Sequence, residues 1–386
     1  MREHPVAGPA IAGWLNLFES GDFVGITTGG HVIPGLFRPG LDESSPVADA
    51  VSAALELLAE LIEDDIAKLV HPIDSRVWRA WMNPEMYLNR FGLRLEEMEP
   101  DARDRVLALV EASLSPEGYR MALDVMRTNA FLGELTGLPR LLNEYSYNVN
   151  LFGEPSVSGV WGWQIYGHHL ALNCAFVAGQ QILTPVFFGA EPNEIDEGPH
   201  AGIVMFESRR DAGLNVMRAL PPYLAERATV YRQKRDQRMP EGRIHPGDEL
   251  HLGGAFQDNR VIPYEGLRLA DCDDRVRRLA VELVATFLDY QPDGPRRARL
   301  NEVEKRLDDS WFCWIGGAGD GDAFYFRLQS PVILVEFDHH AGIFLANTEP
   351  RPFHPHTLVR TPNGNDYAAA LIRAATNTAH LLDRLA

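Results

Sequence analysis

Residues 161–173 have the sequence Trp161-Gly162-Trp163-Gln164-Ile165-Tyr166-Gly167-His168-His169-Leu170-Ala171-Leu172-Asn173. Aromatic and aliphatic residues alternate with polar ones and there is no proline, which is the pattern of a β-strand. In one continuous strand, Trp161, Trp163, His169 and Asn173 share one face, and His168 projects from the other. We therefore expect the two adjacent histidines to have different roles.

Further strand and helix patterns lie on both sides of this stretch. Residues 181–188 predict a strand that pairs with it as a hairpin, and residues 310–316, 323–329, 332–338 and 353–360 predict four more strands. Residues 46–136 predict a layer of four helices, of which the second opens at Asn83-Pro84-Glu85, and residues 366–385 predict a closing helix.

These patterns predict one α+β domain over residues 1–386. Its core is an antiparallel β-sheet with an N-terminal helical layer (residues 46–136) and a C-terminal closing helix. Residues 1–45 form a hairpin or wrap over the body, and residues 140–386 contain the sheet and carry the site.

The composition restricts the class of partner. The chain has 386 residues, of which 45% are hydrophobic, and a net charge of −18. That is enough apolar material for a packed core, and so acidic a chain lacks the basic surface that nucleic acids and anionic membranes require. The three cysteines are widely spaced, and no hydrophobic signal or membrane-spanning run is present. We expect a reduced, cytoplasmic protein with a small-molecule substrate, and a homo-oligomer remains open.

Three of the predicted strands carry unusual polar groups. His354 and His356 are two positions apart in an extended segment, so both imidazoles project to the same side. Two such histidines present two nitrogens to one divalent ion, and His169 or the carboxylate of Glu336 would complete the site. The alternative is that His354 and His356 are hydrogen-bonded or surface histidines beside a proline-rich turn.

Other residues are candidates for substrate contacts or catalysis. Arg360 would anchor a substrate carboxylate, although an ion pair is the alternative. Trp161 and Trp163 would line a pocket unless they pack in the core. Glu144, in a polar, aromatic loop, would be a general base or substrate contact, and the alternative is a hydrogen-bonded loop carboxylate. The chain has no GxSxG motif and no GxGxxG after a strand, which disfavours an α/β-hydrolase or a Rossmann enzyme.

Taken together, several motifs resemble one known family. They are Gly167-His168-His169-Leu170 with Asn173, Pro185 to Pro192, Trp314-Ile315-Gly316, Phe324 to Arg327, Val335 to Asp338, His354-Pro355-His356-Thr357, Arg360 and Asn365-Asp366-Tyr367. In this order over about residues 140–385, the chain resembles the DUF3500 family of uncharacterised proteins. The resemblance implies that the Gly-His-His and His-x-His segments belong to one site, and it implies no activity.

The sequence favours a metal-dependent enzyme that acts on a small organic molecule, most simply a hydrolase or lyase. His169, His354 and His356 would bind a divalent ion, zinc first and iron or manganese as alternatives. Glu336 would be a fourth ligand or general base, and His168 and Asn173 would orient groups or stabilise an oxyanion.

Three alternatives stay open at this point. With a carboxylate, the same ligands would hold non-haem iron for oxygen chemistry. The chain would otherwise be a metal-free small-molecule binding protein, or a metal-free enzyme that uses a His/Glu pair for acid–base catalysis.

Overall fold

A mostly antiparallel, open sheet forms the centre of the molecule. The computed structural model describes residues 7–19, 21–84, 91–245 and 247–383. Within these residues the strands are β1 (Val70–His71), β2 (Leu93–Arg94), β3 (Tyr147–Gly153), β4 (Val160–Gly167), β5 (Leu170–Val177), β6 (Gln180–Gly189), β7 (Thr229–Tyr231), β8 (Leu267–Arg268), β9 (Trp311–Gly316), β10 (Phe324–Gln329), β11 (Leu334–His339) and β12 (Pro355–Arg360).

Strand β12 joins the two halves of the sheet. The strand order is β1-β3-β4-β5-β6-β12-β11-β10-β9-β7, with β2 paired to β3 and β8 to β9. The pairs β1–β3 and β7–β9 are parallel, and the other pairs are antiparallel. This order places the start of β12 between the ends of β6 and β11, and His356 pairs with Gly189 on one side and with Asp338 on the other.

Helices pack on the sheet, as the α+β prediction requires. The described helices are α1 (Ala7–Glu19), α2 (Val47–Glu60), α3 (Glu63–Leu69), α4 (Pro100–Ser113), α5 (Pro116–Thr136), α6 (Glu207–Ala219), α7 (Pro222–Ala228), α8 (Asp274–Phe287), α9 (Asp293–Lys305) and α10 (Ala369–Asp383). None of them is long and apolar enough to cross a lipid bilayer. The predicted fold class, with its N-terminal helical layer and C-terminal closing helix, is confirmed.

The N-terminal helical layer differs from the prediction in detail. The single helix predicted from residue 46 to residue 70 is divided into α2 and α3, because Leu61 adopts an extended conformation between them. The predicted short helix that opens at Asn83 lies largely on residues 85–90, outside the described part of the chain. At the N-terminus, where the sequence predicted a hairpin or a wrap over the body, the structure has α1, and residues 21–46 form no further helix or strand.

The largest correction concerns residues 161–173. They form the hairpin of β4 and β5 and not one strand, with His168 and His169 in the two-residue turn between them. His169 has a φ of 62°, the left-handed conformation that short hairpin turns require. Because Gly167 pairs with Leu170, the even-numbered residues of β4 share a face with the odd-numbered residues of β5, and the face assignment of a single strand is reset across the turn. Asn173 therefore lies beside Gln164 and away from the two tryptophans.

Candidate metal centre

Three histidines from two distant parts of the chain converge at one end of the sheet. The Nε2 atoms of His169 and His356 are 3.0 Å apart, those of His354 and His356 are 2.9 Å apart, and those of His354 and His169 are 3.3 Å apart. All three side chains are buried. The structure thus brings together the three residues that the sequence predicts as metal ligands, in a geometry that suits a cation. We call these residues the three-histidine site.

Local backbone contacts position these rings. The carbonyl of His169 accepts a hydrogen bond of 2.8 Å from the amide of Gly189, and Gly189 is also the cross-strand neighbour of His356. His354 and His356 lie on either side of Pro355, where β12 begins. The hairpin turn and the start of β12 therefore approach each other across the end of β6.

Burial keeps these imidazoles neutral. It lowers the pKa of His354 to about 3, and together with neighbouring imidazoles it holds the pKa values of His169 and His356 well below the usual range. A neutral imidazole has a lone pair on one nitrogen, which is the form that binds a metal ion. At neutral pH the three rings are therefore in the protonation state that a cation would need.

Two further groups support the three-histidine site from outside. The ring of His168 stacks on that of His169, with centroids 3.8 Å apart, and its Nδ1 bonds to Oδ1 of Asn129 at 2.9 Å. Burial lowers the pKa of His168 to about 3. The carboxylate of Glu191 is buried and lies 3.8 Å from Nδ1 of His354. His168 thus packs against the ring of His169, a predicted ligand, and is a positioning residue.

A second group of potential ligands adjoins the first. His251, Asp338 and His340 are buried, and their ligand atoms lie within 4.8 Å of one another. We call them the mixed site. Nζ of Lys234 contacts Oδ1 of Asp338, and burial lowers the pKa of Lys234 to about 7. The sequence places Asp338 and His340 on one face, but it did not indicate His251 or Lys234, which belong to a segment without periodicity.

The carboxylate of Glu336 is not among the ligand atoms that meet in the three-histidine site. Its carboxylate accepts hydrogen bonds from the amides of Leu252 and Gly253, both at 2.9 Å, and from the hydroxyl of Tyr325 at 2.6 Å. Burial alone would raise the pKa of Glu336, but His251, Arg327 and these hydrogen bonds hold it below its usual value. Glu336 therefore anchors the loop that carries His251, where the sequence predicted a ligand or general base.

Asn173 and the two tryptophans have packing roles. Oδ1 of Asn173 accepts from Gln164 at 2.6 Å, and its Nδ2 donates to the carbonyl of Pro185 at 2.7 Å, so the side-chain amide is occupied within the sheet. Trp161 and Trp163 are fully buried in the hydrophobic core, and Nε1 of Trp163 donates to Oγ of Ser113 on α4. The reset of faces at the hairpin turn explains why Asn173 lies on the opposite face of the sheet from the two tryptophans.

The structure also places Arg360 and Glu144 elsewhere. The Arg360 guanidinium is fully buried and bonds to Asp366 at 2.7 Å, to Asp258 at 2.6 Å and to the carbonyl of Gly253 at 2.9 Å. It thus has protein partners in place of the substrate carboxylate that the sequence suggested. Glu144 lies in a partly exposed loop, 3.9 Å from Arg127.

A partly exposed loop covers the three-histidine site. Residues 341–353 connect β11 to β12, and the Phe344 ring contacts that of His168 with centroids 5.4 Å apart. Oε1 of Glu191 accepts hydrogen bonds from the amides of Ile343 and Leu345, at 3.1 and 3.0 Å. One buried carboxylate therefore holds the covering loop and lies beside His354.

Comparison with known proteins identifies a family and no individual relative. No curated protein and no solved structure matches the chain. The sequence model of the family described as "Protein of unknown function (DUF3500)" matches residues 43–369, which is more than four fifths of the chain. The match extends beyond the region of resemblance found by motif, because it includes the N-terminal helical layer. The chain belongs to the DUF3500 family.

Proposed function

We propose that this protein is a metal-dependent enzyme that acts on a small organic molecule, most simply as a hydrolase or lyase. The observation that carries the proposal is the mutual approach of three buried imidazole Nε2 atoms, all within 3.3 Å of one another. The His354, His356 and His169 side chains would be the ligands.

Hydrogen bonding among the three rings cannot satisfy this arrangement. A neutral imidazole nitrogen either carries a proton or presents a lone pair, so it is a donor or an acceptor but not both. If one Nε2 of the three is protonated, the other two direct lone pairs at each other, and if two are protonated their hydrogens clash. A cation at the centre accepts all three lone pairs at once, which removes the conflict.

The spacing of the nitrogens fits a first-row divalent ion. Tetrahedral coordination with metal–nitrogen bonds of about 2.0–2.1 Å separates ligand nitrogens by roughly 3.3 Å. The observed separations of 2.9, 3.0 and 3.3 Å are close to this value. Three histidine ligands with a fourth, open position are typical of catalytic zinc, and iron or manganese is the alternative.

The groups around the three-histidine site could assist chemistry at a bound ion. A bound ion in this position would supply Lewis acidity toward a carbonyl or a water molecule. His168 would hold the ring of His169 in place through stacking, and Asn129 would fix the orientation of His168. Asp338 and Lys234 contribute a buried carboxylate and a buried amine next to the cluster, which are the groups able to bind or transfer a proton there.

The test is elemental analysis of protein purified without an affinity tag. Wild type should contain zinc, iron or manganese, and His354→Ala should lose about one equivalent, as expected for removal of one of three ligands. His71→Ala is the matched control, because His71 bonds to Asn150 away from the cluster, and it should retain the metal. Equal metal content in wild type and His354→Ala, including none in either, would reject the proposal.

A hydrolase and lyase substrate panel then separates this proposal from its rivals. We expect turnover that a chelator abolishes and zinc restores. A metal-free His/Glu enzyme would instead show a bell-shaped pH profile that chelators leave unchanged. A metal-free binding protein would show ligand binding, no turnover and no response to chelator.

A further inference from the structure

The mixed site of His251, Asp338 and His340 is built from two converging segments. Asp338 and His340 lie at the end of β11, and His251 lies in the loop that approaches it. Oδ2 of Asp338 lies 3.3 Å from Nε2 of His340 and accepts the amide of Leu250 at 3.0 Å. The loop around His251 is thereby fixed to the same carboxylate that His340 faces.

Glu336 fixes this loop from its other end. Its two carboxylate oxygens bind the amides of Leu252 and Gly253, directly after His251. The imidazole of His251 is thus held between two anchored backbone segments, at Leu250 and at Leu252. Such restraint of a ligand through its neighbours is typical of metal sites, where outer contacts fix the ligand orientation.

The mixed site contains buried nitrogens that hydrogen bonding leaves unpaired. Nε2 of His340 and both ring nitrogens of His251 meet no described residue with hydrogen-bond geometry, although the backbone of His356 lies near the His251 ring. His251 is 1% exposed and His340 is 3% exposed. Buried polar atoms normally have hydrogen-bond or ionic partners. Unpaired nitrogens that face a carboxylate therefore indicate a partner that the described residues do not supply.

We propose that His251, Asp338 and His340 bind a second divalent cation, so that the cluster is a two-ion centre. The proposal rests on the proposed function, because it adds an ion beside the one at His169, His354 and His356. Two histidines with one carboxylate form the donor set of non-haem ferrous sites and suit harder ions better than three histidines do. We therefore assign ferrous iron or manganese to the mixed site.

The two ligand sets are in direct contact. The His340 ring lies on that of His356 with centroids 3.7 Å apart, and it is 5.4 Å from that of His354. The His251 ring is 6.2 Å from that of His356. Occupation of one site therefore fixes rings that pack against ligands of the other, and we expect binding at the two sites to be coupled.

Lys234, in its protonated form, opposes a cation in the mixed site. Its ammonium contacts Oδ1 of Asp338, opposite the oxygen that faces His340. The negative charge that would attract a cation to the mixed site is thus already balanced, and a cation there also meets a like charge. The mixed site should be the weaker of the two, and removal of the Lys234 charge should strengthen it.

The experiment is equilibrium dialysis of metal-free, full-length protein against manganese(II) and zinc(II), followed by elemental analysis. Wild type should bind about two ions, and His251→Ala and His354→Ala should each bind about one, since each variant removes one ligand from a different set. Lys234→Met should bind its weaker ion roughly tenfold more tightly or better, because a like charge next to the site is removed.

Three outcomes separate the two proposals. One ion in wild type, lost in His354→Ala and kept in His251→Ala, would overturn the second site and leave the first intact. No ion in wild type would overturn both. If His251→Ala fails to fold, Asp338→Asn preserves the side-chain shape and removes the charged ligand, and two ions in that variant would also overturn the second site.

Discussion

Nε2 of His169 and Nε2 of His356 lie 3.0 Å apart, although 187 positions separate the two residues in the chain. Gly189 lies between them. A Cβ atom at Gly189 would lie 2.8 Å from Cδ2 of each ring, which is closer than Cβ atoms approach other heavy atoms in proteins. The approach of the two histidines therefore requires a residue without a side chain at this point of β6.

The first prediction is that Gly189→Ala weakens metal binding and leaves the fold intact. The φ of Gly189 lies outside the left-handed region, so alanine fits the backbone and the effect is purely steric. Overpacking of this kind typically costs about 1–3 kcal/mol, and here it would displace His169 and His356. Affinity for zinc, measured by competition with a chromophoric chelator, should fall by roughly tenfold or more for a cost of this size.

Gly321→Ala is the control for this variant. Gly321 lies in the turn between β9 and β10, and an added Cβ would meet nothing within 4 Å. Its affinity for zinc should equal that of wild type. Unchanged affinity in Gly189→Ala would show that the two rings relax away from the methyl group without loss of the site.

The sequence predicts part of this site for a simple reason. His354 and His356 project to one side because they are two positions apart in an extended segment, and this depends only on local geometry. The position of His169 required a hairpin turn at His168-His169, which the continuous alternation of residues 161–173 concealed. The three rings nevertheless meet, because the turn brings His169 to the end of β6.

The rest of the site depends on tertiary contacts that sequence patterns do not contain. His251 lies in an irregular segment, and its position follows from carboxylates more than 80 positions away, at Glu336 and Asp338. For Arg360 the sequence left both a substrate carboxylate and an ion pair open, because its partner Asp258 is 102 positions away. Local periodicity determines strands and helices, whereas buried pairing between loops and strands is decided only when they pack.

The second prediction concerns Arg360 and separates a structural role of this residue from a substrate-binding role. Arg360→Met removes the cationic partner of Asp366 and leaves Asp258 with Arg79, at 3.0 Å, and the hydroxyl of Tyr367, at 2.9 Å. Loss of one partner from a buried ion pair typically costs about 3–5 kcal/mol. The free energy of unfolding, measured with urea, should fall by about this amount. Unchanged stability with a raised KM would instead restore the role of substrate anchor.

The third prediction is that Phe344 controls access to the three-histidine site. The Phe344 ring covers His168 from the loop 341–353. Phe344→Ala removes this cover and leaves the ligands in place. Metal loss to excess chelator should accelerate by roughly threefold to tenfold, as expected when a barrier falls by about 1 kcal/mol.

Ile343→Ala is the matched control for Phe344→Ala. Ile343 is its neighbour in the same loop and is 65% exposed, so its side chain covers little. The rate of metal loss should remain that of wild type in this variant. An equal acceleration in both variants would mean that general loosening of the loop, and not the Phe344 ring, determines access.

The fourth prediction is that the metal-free protein loses stability in mild acid. Burial lowers the pKa of His354 to about 3 and that of His251 to about 4, and three more cluster histidines have pKa values well below the usual range. In the unfolded chain the same groups titrate near 6.5. The unfolded state thus binds more protons below about pH 6.5, so stability falls as the pH is lowered through that value.

Four carboxyl groups oppose this trend, because burial also raises the pKa values of Glu302 and Asp366. Burial and the charge of Glu336 raise the pKa of Asp248 to about 7, and burial raises that of Glu191. A raised carboxyl pKa means that the folded state binds more protons above the ordinary carboxyl range, which adds stability as the pH falls toward it. Because the depressed imidazoles outnumber these carboxyls, stability should fall on balance between pH 7 and pH 5.5, by on the order of a few kcal/mol.

Urea unfolding in the presence of a chelator, followed by circular dichroism at several pH values, measures this loss. His168→Gln should reduce the slope by about one proton, because it removes one imidazole with a pKa lowered to about 3 while leaving a group that can still bond to Asn129. A profile that is flat between pH 7 and pH 5.5 in wild type would mean that the cluster accepts protons without unfolding. The imidazoles would then titrate near their ordinary value, and the lowering of their pKa values by burial would be wrong.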